Sequence, residues 1–522
     1  MITTVWILGD QLLPEHPALA AAGDKARTRV LLIESTTALA RRPYGRAKLA
    51  LLLSAMRHYA EDLRARGHVV DYRRAASFSD GLRDHAAEHR PDRLLTMAAS
   101  SHAGRSFQSG LAGRYAFPAT VLPNTQFLTG RFNPIPDPQP SRRYVLESFY
   151  RAMRRHFDVL MEDGQPAGGR WNYDADNRRP LPRDLIPPPD AAFVADEITR
   201  EVLTELGMSA AGDSPSAVEE TDGALAVPSD DVVSPVWPGY ATTRAGALAA
   251  LNHFLDERLS HFGPYEDAMT RRSHSLFHSM LSPYLNLGLL EPLEVVRAAE
   301  ARHRDGRAPL NSVEGFIRQI IGWREFMYWQ YWRQGPEITA QNAWGATRPL
   351  PDFFWTGATD MACLRHALGR ALSTGYNHHI ERLMLLGNFL MLAGVHPAAA
   401  NDWFRAVYVD AYDWVMPPNV IGMALNADDG LTATKPYLAS ANYVNKMSDH
   451  CAGCAFDPKA RTGTAACPFN FLYWAFLIRH EARLRANPRL GPAVLGLARL
   501  SDSDRAAVLD QAAAYLSQLD AE

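Results

Sequence analysis

Four cysteines offer the sharpest chemical signal in the chain. Cys363 stands alone; after 87 intervening residues comes Cys451-Ala452-Gly453-Cys454, and after 12 more Cys467-Pro468. A close pair followed by a third thiol is metal-ligand spacing, and a Cys–Pro step often closes an iron–sulfur site. Thiolate softness leaves two occupants, a four-thiolate zinc or a [4Fe–4S] cluster. Structural zinc is the commoner use of a Cys-x-x-Cys turn. The second such pair of a zinc ribbon is missing, however, and one ligand must come from far upstream. A cluster that staples a distant helix to the C-terminal loop fits that spacing better, with zinc still open.

The second signal is His378-His379. A free imidazole titrates near 6.5 and serves as a general acid around neutrality. Adjacent residues point to different faces of a helix, so one of the two is expected to line a core. His378 and Glu381, at i,i+3, also resemble a metal pair. The third signal is aromatic. Eight of the 11 tryptophans (Trp323, Trp329, Trp332, Trp344, Trp355, Trp403, Trp414 and Trp474) lie between residues 320 and 474. An aromatic-rich helical core accounts for most of them. Stacked indoles would also relay electrons if a redox cofactor were bound.

These residues must be positioned by two different kinds of architecture. The first ~130 residues alternate short apolar runs with helical patterns. Strands are predicted at Val5–Leu8, Val30–Glu34, Val69–Tyr72, Arg93–Met97 and Ala119–Leu122, and a helix at Lys48–Arg66. That alternation predicts an α/β domain over 1–133 with a doubly wound parallel sheet, whose ligand crevice lies beyond the C-terminal ends of the strands. Gly9-Asp10 and Glu34 sit at such ends. No glycine-rich turn follows the first strand, which excludes an ordinary dinucleotide fingerprint.

A proline-rich linker is expected over 134–240, with one helix from Arg143 to Asp163 and a mobile insertion over 209–235. From residue 241 onward helical periodicity dominates. Helices are predicted at Thr243–Phe262, Leu289–Arg304, Val313–Arg333, Ala362–Thr374, Ile380–Ala393, Pro397–Tyr408, Phe471–Ala486 and Ala506–Leu519. This makes an all-α globular domain over 241–522. The fold class is α/β plus all-α.

Composition narrows the class. The 522 residues are 47% hydrophobic and 21% charged, and 54 Lys plus Arg against 57 Asp plus Glu give a net charge of −3. Any nucleic-acid surface is therefore a local patch. So few cysteines exclude a secreted disulfide scaffold. The N-terminus carries no basic leader, and the longest apolar stretch, Leu383 to Val395, is too short to span a bilayer. A cytoplasmic location without membrane contact is expected.

Several segments resemble the photolyase/cryptochrome family. Ser279-Met280-Leu281-Ser282-Pro283-Tyr284-Leu285-Asn286-Leu287-Gly288 and Gly315-Phe316-Ile317-Arg318-Gln319-Ile320-Ile321-Gly322-Trp323-Arg324-Glu325-Phe326 are similar to its FAD-embracing segments. Leu8-Gly9-Asp10-Gln11-Leu12, Asn377-His378-His379-Ile380-Glu381-Arg382, Pro418-Asn419-Val420-Ile421-Gly422-Met423 and the four cysteines resemble the bacterial iron–sulfur branch, the prokaryotic (6-4) photolyases and related cryptochromes. The resemblance covers the whole chain outside 209–235.

The resemblance implies three cofactors. FAD would be folded within the helical domain, with Ser275, His278, Ser279, Arg318, Asp410 and Asn419 as contacts. A [4Fe–4S] cluster would sit on Cys363, Cys451, Cys454 and Cys467. A 6,7-dimethyl-8-ribityllumazine antenna would lie near Gly9, Asp10, Glu34 and Lys48. The implied activity is light-driven repair of pyrimidine (6-4) photoproducts in UV-damaged DNA, by electron transfer from excited reduced FAD to a flipped-out lesion. His379 would be the principal acid and His378 its support. Trp403 and Trp355 would carry photoreduction, although Phe404 replaces a Tyr that commonly joins that relay.

Tyr437, Met423 and Trp344 are candidates for the lesion cavity. Arg183, with Arg142, Arg143, Arg178, Arg179, Lys435 and Lys446, would meet DNA phosphates. A monomer is expected. Two other readings stay open: a cryptochrome photoreceptor without repair activity, and a zinc-stapled nucleic-acid-binding module.

Overall fold

The computed structural model of the chain describes residues 1–115, 117–210, 236–486 and 494–520. The insertion expected over 209–235 lies, from residue 211 on, outside the described residues.

The N-terminal sheet has five parallel strands, β1 Thr3–Trp6, β2 Thr28–Ser35, β3 Val69–Ala75, β4 Arg93–Met97 and β5 Ala119–Leu122, in the order β3-β2-β1-β4-β5. Register is fixed by Val5 opposite both Val30 and Leu95. Period-2 alternation sends Val5, Ile7, Val30 and Leu32 to one apolar layer and Trp6, Leu31 and Ile33 to the other. Both faces are covered, as a parallel sheet requires. The first strand begins two residues earlier than the pattern predicts, because its ladder to β2 and β4 already starts at Thr3. The chain reverses direction across the sheet between β1 and β4, and Asp10 and Ser100, just past those strands, share a hydrogen bond there.

The linker helix is shorter than expected, Leu146–Phe157. Asp158 and Leu160 adopt left-handed backbone, and the chain turns into a small hairpin pairing Met161–Glu162 with Gln165–Pro166. The helix expected over Thr243–Phe262 breaks at Arg258, whose backbone leaves the helical region between Arg244–Glu257 and Leu259–Tyr265. Helices Pro292–Arg304, Ala362–Thr374, Pro397–Val407 and Asp502–Leu519 follow the predicted pattern closely.

The predicted helices over Val313–Arg333 and Ile380–Ala393 are each interrupted by π-helix, at Arg318–Arg324 and Glu381–Gly387. A third π stretch spans Pro418–Ala424. Gly387 lets two of them approach closely, since a Cβ there would sit 2.8 Å from that of Ala424. Among the described residues, no helix is long and apolar enough to cross a membrane.

Candidate active site

The three π stretches converge on one cavity of about 500 Å³ in the helical half. Arg318, Trp323 and Arg324 reach it from the first, Arg382 and Leu383 from the second, and Asn419 and Met423 from the third. An i→i+5 turn accommodates an extra residue and re-aims its side chains, which is why π turns recur at functional sites. A further wall comes from the irregular segment before the Ser282–Leu287 helix, which presents His278 and Ser279. There Leu276 (φ 51°) and Met280 (φ 55°) hold left-handed backbone that bulky residues avoid. Such outliers persist only where surrounding structure over-determines them.

The polar floor is ordered. Arg382 makes two hydrogen bonds to Asp410, at 2.8 and 3.0 Å, and donates from Nε to the Asn377 carbonyl at 2.7 Å. Ser282 donates to Asp410 at 2.6 Å, and Asn286 donates to its backbone carbonyl at 2.8 Å. Arg318 lines the cavity too. Its guanidinium, however, is spent on Glu314 (2.7 and 3.1 Å) and Asp174 (2.6 Å). It shapes the wall and offers no unopposed positive charge.

The two adjacent histidines separate as the helical geometry requires. His379 opens onto the cavity, with Arg382, Tyr437 and Met423 also at its wall. The surrounding protein and then the Arg382 charge push its imidazole down to about 4. This corrects the near-neutral titration expected from the free side chain. In this environment His379 is neutral at pH 7, and a proton-donor role needs a negative neighbour to raise it. His378 is fully buried behind the wall, stacked on His278 with centroids 4.5 Å apart and planes at 9°. Neither of its ring nitrogens has a hydrogen-bond partner, though Nε2 lies 3.8 Å from Glu381 Oε1, and Nε2 of His278 also lacks a hydrogen bond.

Aromatic contact runs from the cavity to the surface. Phe404 lines the cavity and lies 5.2 Å from Trp403. Trp403 is fully buried, donates from Nε1 to the Phe354 carbonyl at 2.9 Å, and lies 6.5 Å from Trp355. Trp355 is 45% exposed, so the path ends at solvent.

The four cysteines, all free thiols, line one small void at the opposite end of the Ala362–Thr374 helix from the histidine turn. Cys363 lies in the first turn of that helix, and Cys467 caps the Pro468–Arg479 helix. Burial first, then the neighbouring thiols, push Cys363 well above its ordinary range; Cys451 is pushed up to about 11. Burial also takes Cys467 to about 12. A cationic centre is what would let such a group ionise.

Comparison with known proteins decides the family. Residues 5–215 match the family model described as "Deoxyribodipyrimidine photo-lyase-related protein". A (6-4) photolyase of Agrobacterium fabrum is 41% identical over the full length of both chains. The chain belongs to the photolyase/cryptochrome family. Two solved structures share the fold of this photolyase/cryptochrome chain. One is a bacterial class III photolyase from Agrobacterium tumefaciens, with a TM-score of 0.51, 17% identity, and 84% of this chain and 81% of that one covered. The other is a Synechocystis cryptochrome, with a TM-score of 0.58, 14% identity, and 85% and 86% covered.

The photolyase/cryptochrome family implies a flavin chromophore, and the cavity suits one. It has the size of a ligand site, an apolar wall at Phe262, Phe316 and Ile320, and a buried His278 nitrogen without a protein partner. Of the predicted contacts, His278, Ser279, Arg318, Asp410 and Asn419 line it. Ser275 does not. It is wholly buried, accepting from Arg258 at 2.5 Å and donating to Asp190, so it braces the wall from behind.

Trp344 also departs from expectation. It packs on Phe476 and His480 beneath Arg483 and donates to the Asn426 carbonyl, away from the cavity. Arg183 is exposed on the linker.

For an iron–sulfur centre, the donor set fits. Four thiols around one void make an all-sulfur ligand set of the kind that soft metal centres take.

The antenna candidates are more constrained. Glu34 is taken by Arg57, Arg74 and Tyr72. Lys48 is buried and donates to the carbonyls of Arg405 (2.8 Å) and Ala411 (2.6 Å), tying the α/β domain to the helical half. Both side chains are already engaged within the protein. Gly9 abuts Met56, leaving Asp10 at the switch point of the sheet.

Sequence reasoning missed Arg382, Phe404 as a cavity residue, and the π turns. Arg382 lay within the quoted 377–382 motif. The π turns leave no signal in an apolar period.

Proposed function

We propose that this chain repairs pyrimidine (6-4) photoproducts in UV-damaged DNA with light. FAD would occupy the central cavity, and the lesion would enter above it. The observation that carries the proposal is His379, the member of the histidine pair that opens onto a flavin-sized cavity, in a chain 41% identical along its full length to a (6-4) photolyase.

When bound, reduced FAD supplies a photoexcited single-electron donor. The protein's own residues do the rest. Arg382, locked on Asp410, together with Ser279 and Asn419 would hold the polar parts of the flavin at the cavity wall. Met423 and Tyr437 give the apolar seat for a base pair extruded from the duplex. His379 holds the proton that must move when oxygen returns between the two bases. A negative charge placed beside it in a loaded site would raise its pKa and favour the protonated, acid form. His378 and the stacked His278 position that imidazole. Arg183 and its neighbours on the linker meet backbone phosphates.

Two further assignments belong to the same proposal. Cys363, Cys451, Cys454 and Cys467 hold a [4Fe–4S] cluster, supported by four free thiols around one void. A lumazine antenna sits against Asp10 at the crevice of the parallel sheet.

The test is repair under blue light of oligonucleotides carrying either a (6-4) photoproduct or a cyclobutane dimer. Turnover of the (6-4) lesion, lost in darkness and reduced at least a hundredfold in His379→Ala with flavin retained, is expected. No turnover of either lesion by the reduced, flavin-loaded protein refutes repair and leaves a photoreceptor.

A further inference from the structure

The Phe78–His89 helix ends in His85-Ala86-Ala87-Glu88-His89. Two imidazoles four residues apart share one helical face. That face turns to β3, where a single oxygen, Asp71 Oδ2, lies 2.6 Å from His85 Nδ1 and 3.3 Å from His89 Nε2. The two rings are 4.6 Å apart, and the three donor atoms all lie within 4.8 Å of one another. We propose that Asp71, His85 and His89 form a binding site for a divalent transition-metal ion of the zinc–nickel class, separate from both the flavin cavity and the cysteines.

The donor chemistry sets the class of ion. Two imidazoles and one carboxylate suit zinc or nickel, whereas magnesium and calcium demand oxygen ligands. A tetrahedral ion with bonds of about 2.0 Å separates its donors by roughly 3.3 Å. The Asp71–His89 distance already has that value. The Asp71–His85 pair at 2.6 Å has to open, its hydrogen bond giving way to the metal, and the two imidazole nitrogens stay within 4.8 Å of each other.

The outer contacts are those a metal site needs. Thr4 Oγ1 lies 2.7 Å from His85 Nε2, so the ring is anchored with Nδ1 facing Asp71. Arg73 Nε donates to Asp71 Oδ2 at 2.6 Å and orients the carboxylate.

The ligands are held at one buried end and are open at the other. His85 is 1% exposed, Asp71 15% and His89 23%, so water reaches the remaining coordination position. His-x-x-Glu-His on a helix also occurs where the glutamate acts as a general base beside zinc. Here one Glu88 oxygen is bound to Arg73 at 2.6 Å and the other lies 3.8 Å from His89 Nε2, at the rim of the site. The site binds metal and clamps the helix to β3. Arg73, a cation against the shared carboxylate, makes it weaker than a structural zinc centre.

The experiment is calorimetric titration of the full-length, flavin-loaded protein, cysteines intact, with Zn²⁺, Ni²⁺ and Mg²⁺. Wild type is expected to take up one more Zn²⁺ or Ni²⁺ per chain than His89→Ala, and no Mg²⁺ at this site. Asp71→Asn should weaken the same event at least tenfold, and Glu88→Gln should leave it unchanged. The zinc-dependent rise in thermal midpoint should vanish with His89→Ala. His89→Gln keeps the size and hydrogen bonding of a residue at the helix end and gives the same readout should the alanine variant fold poorly. Identical zinc isotherms in wild type and the His89 variants overturn the proposal.

Discussion

Replacing Glu381 by Gln tests the scaffold beneath the histidine turn. Glu381 and Arg370 are both buried and joined at 2.6 Å, and Arg370 also donates to the Thr270 carbonyl at 2.6 Å. The other Glu381 oxygen accepts from Asn377 Nδ2 at 2.8 Å, and Asn377 in turn accepts from the Tyr408 hydroxyl at 2.7 Å. This network fixes the backbone that carries His378 and His379. Glu381→Gln keeps the shape but leaves a buried guanidinium without its counter-charge, a change that costs roughly 3–5 kcal/mol. For a helical unit of this size that lowers the thermal midpoint by on the order of 10 °C.

Replacing both partners with Met and Leu should cost far less than the single change, because no uncompensated charge remains. The assay is thermal unfolding of wild type, the single variant and the double variant, followed by tryptophan fluorescence. A single variant within 2 °C of wild type (a loss under about 1 kcal/mol), or a double variant worse than the single, refutes the reasoning.

Three other outcomes follow from the same geometry. Phe404→Tyr places an oxidisable phenol between the cavity and Trp403 and should speed photoreduction of bound flavin, while Trp403→Phe should slow it at least tenfold. Unchanged bleaching rates in both would show that electrons take another path. Acidification should destabilise the fold. His16 is lowered to about 3 by burial, so between pH 6.5 and that value the unfolded chain binds the extra proton. Stability is then complete above about pH 6.5 and falls with pH by up to about 1.4 kcal/mol per unit. Denaturation midpoints should show a shallower acid slope in His16→Asn. Cys454→Ser should abolish the visible absorption of the iron–sulfur centre and make the 451–467 loop a site of proteolysis; an unchanged spectrum removes Cys454 from the ligand set.

Much of this was legible because burial is written in periodicity. The Ala362–Thr374 helix and the Arg93–Met97 strand were predictable to the residue, since apolar spacing alone defines which face packs. What periodicity does not encode is direction and partner. Lys48 and Ser275 are residue types that bind ligands, yet both are consumed by distant protein groups, the Arg405 and Ala411 carbonyls and the Arg258–Asp190 pair. Trp344 lies in the tryptophan-rich stretch but faces the Pro468–Arg479 helix. The π turns escaped because an added residue barely disturbs an apolar stripe, while it redirects the residues that form the cavity.

The π turns have an evolutionary corollary. The two that lie within longer helices are each one amino acid longer per turn than the regular helix they interrupt, so a single-codon deletion within Arg318–Arg324 or Glu381–Gly387 is the shortest edit that restores an ordinary spiral. Such a lesion in the gene would leave a well-formed helix and an obliterated chromophore seat. Lineages that abandon photochemistry while retaining the scaffold should carry their losses at these two places, as missing residues rather than exchanged ones.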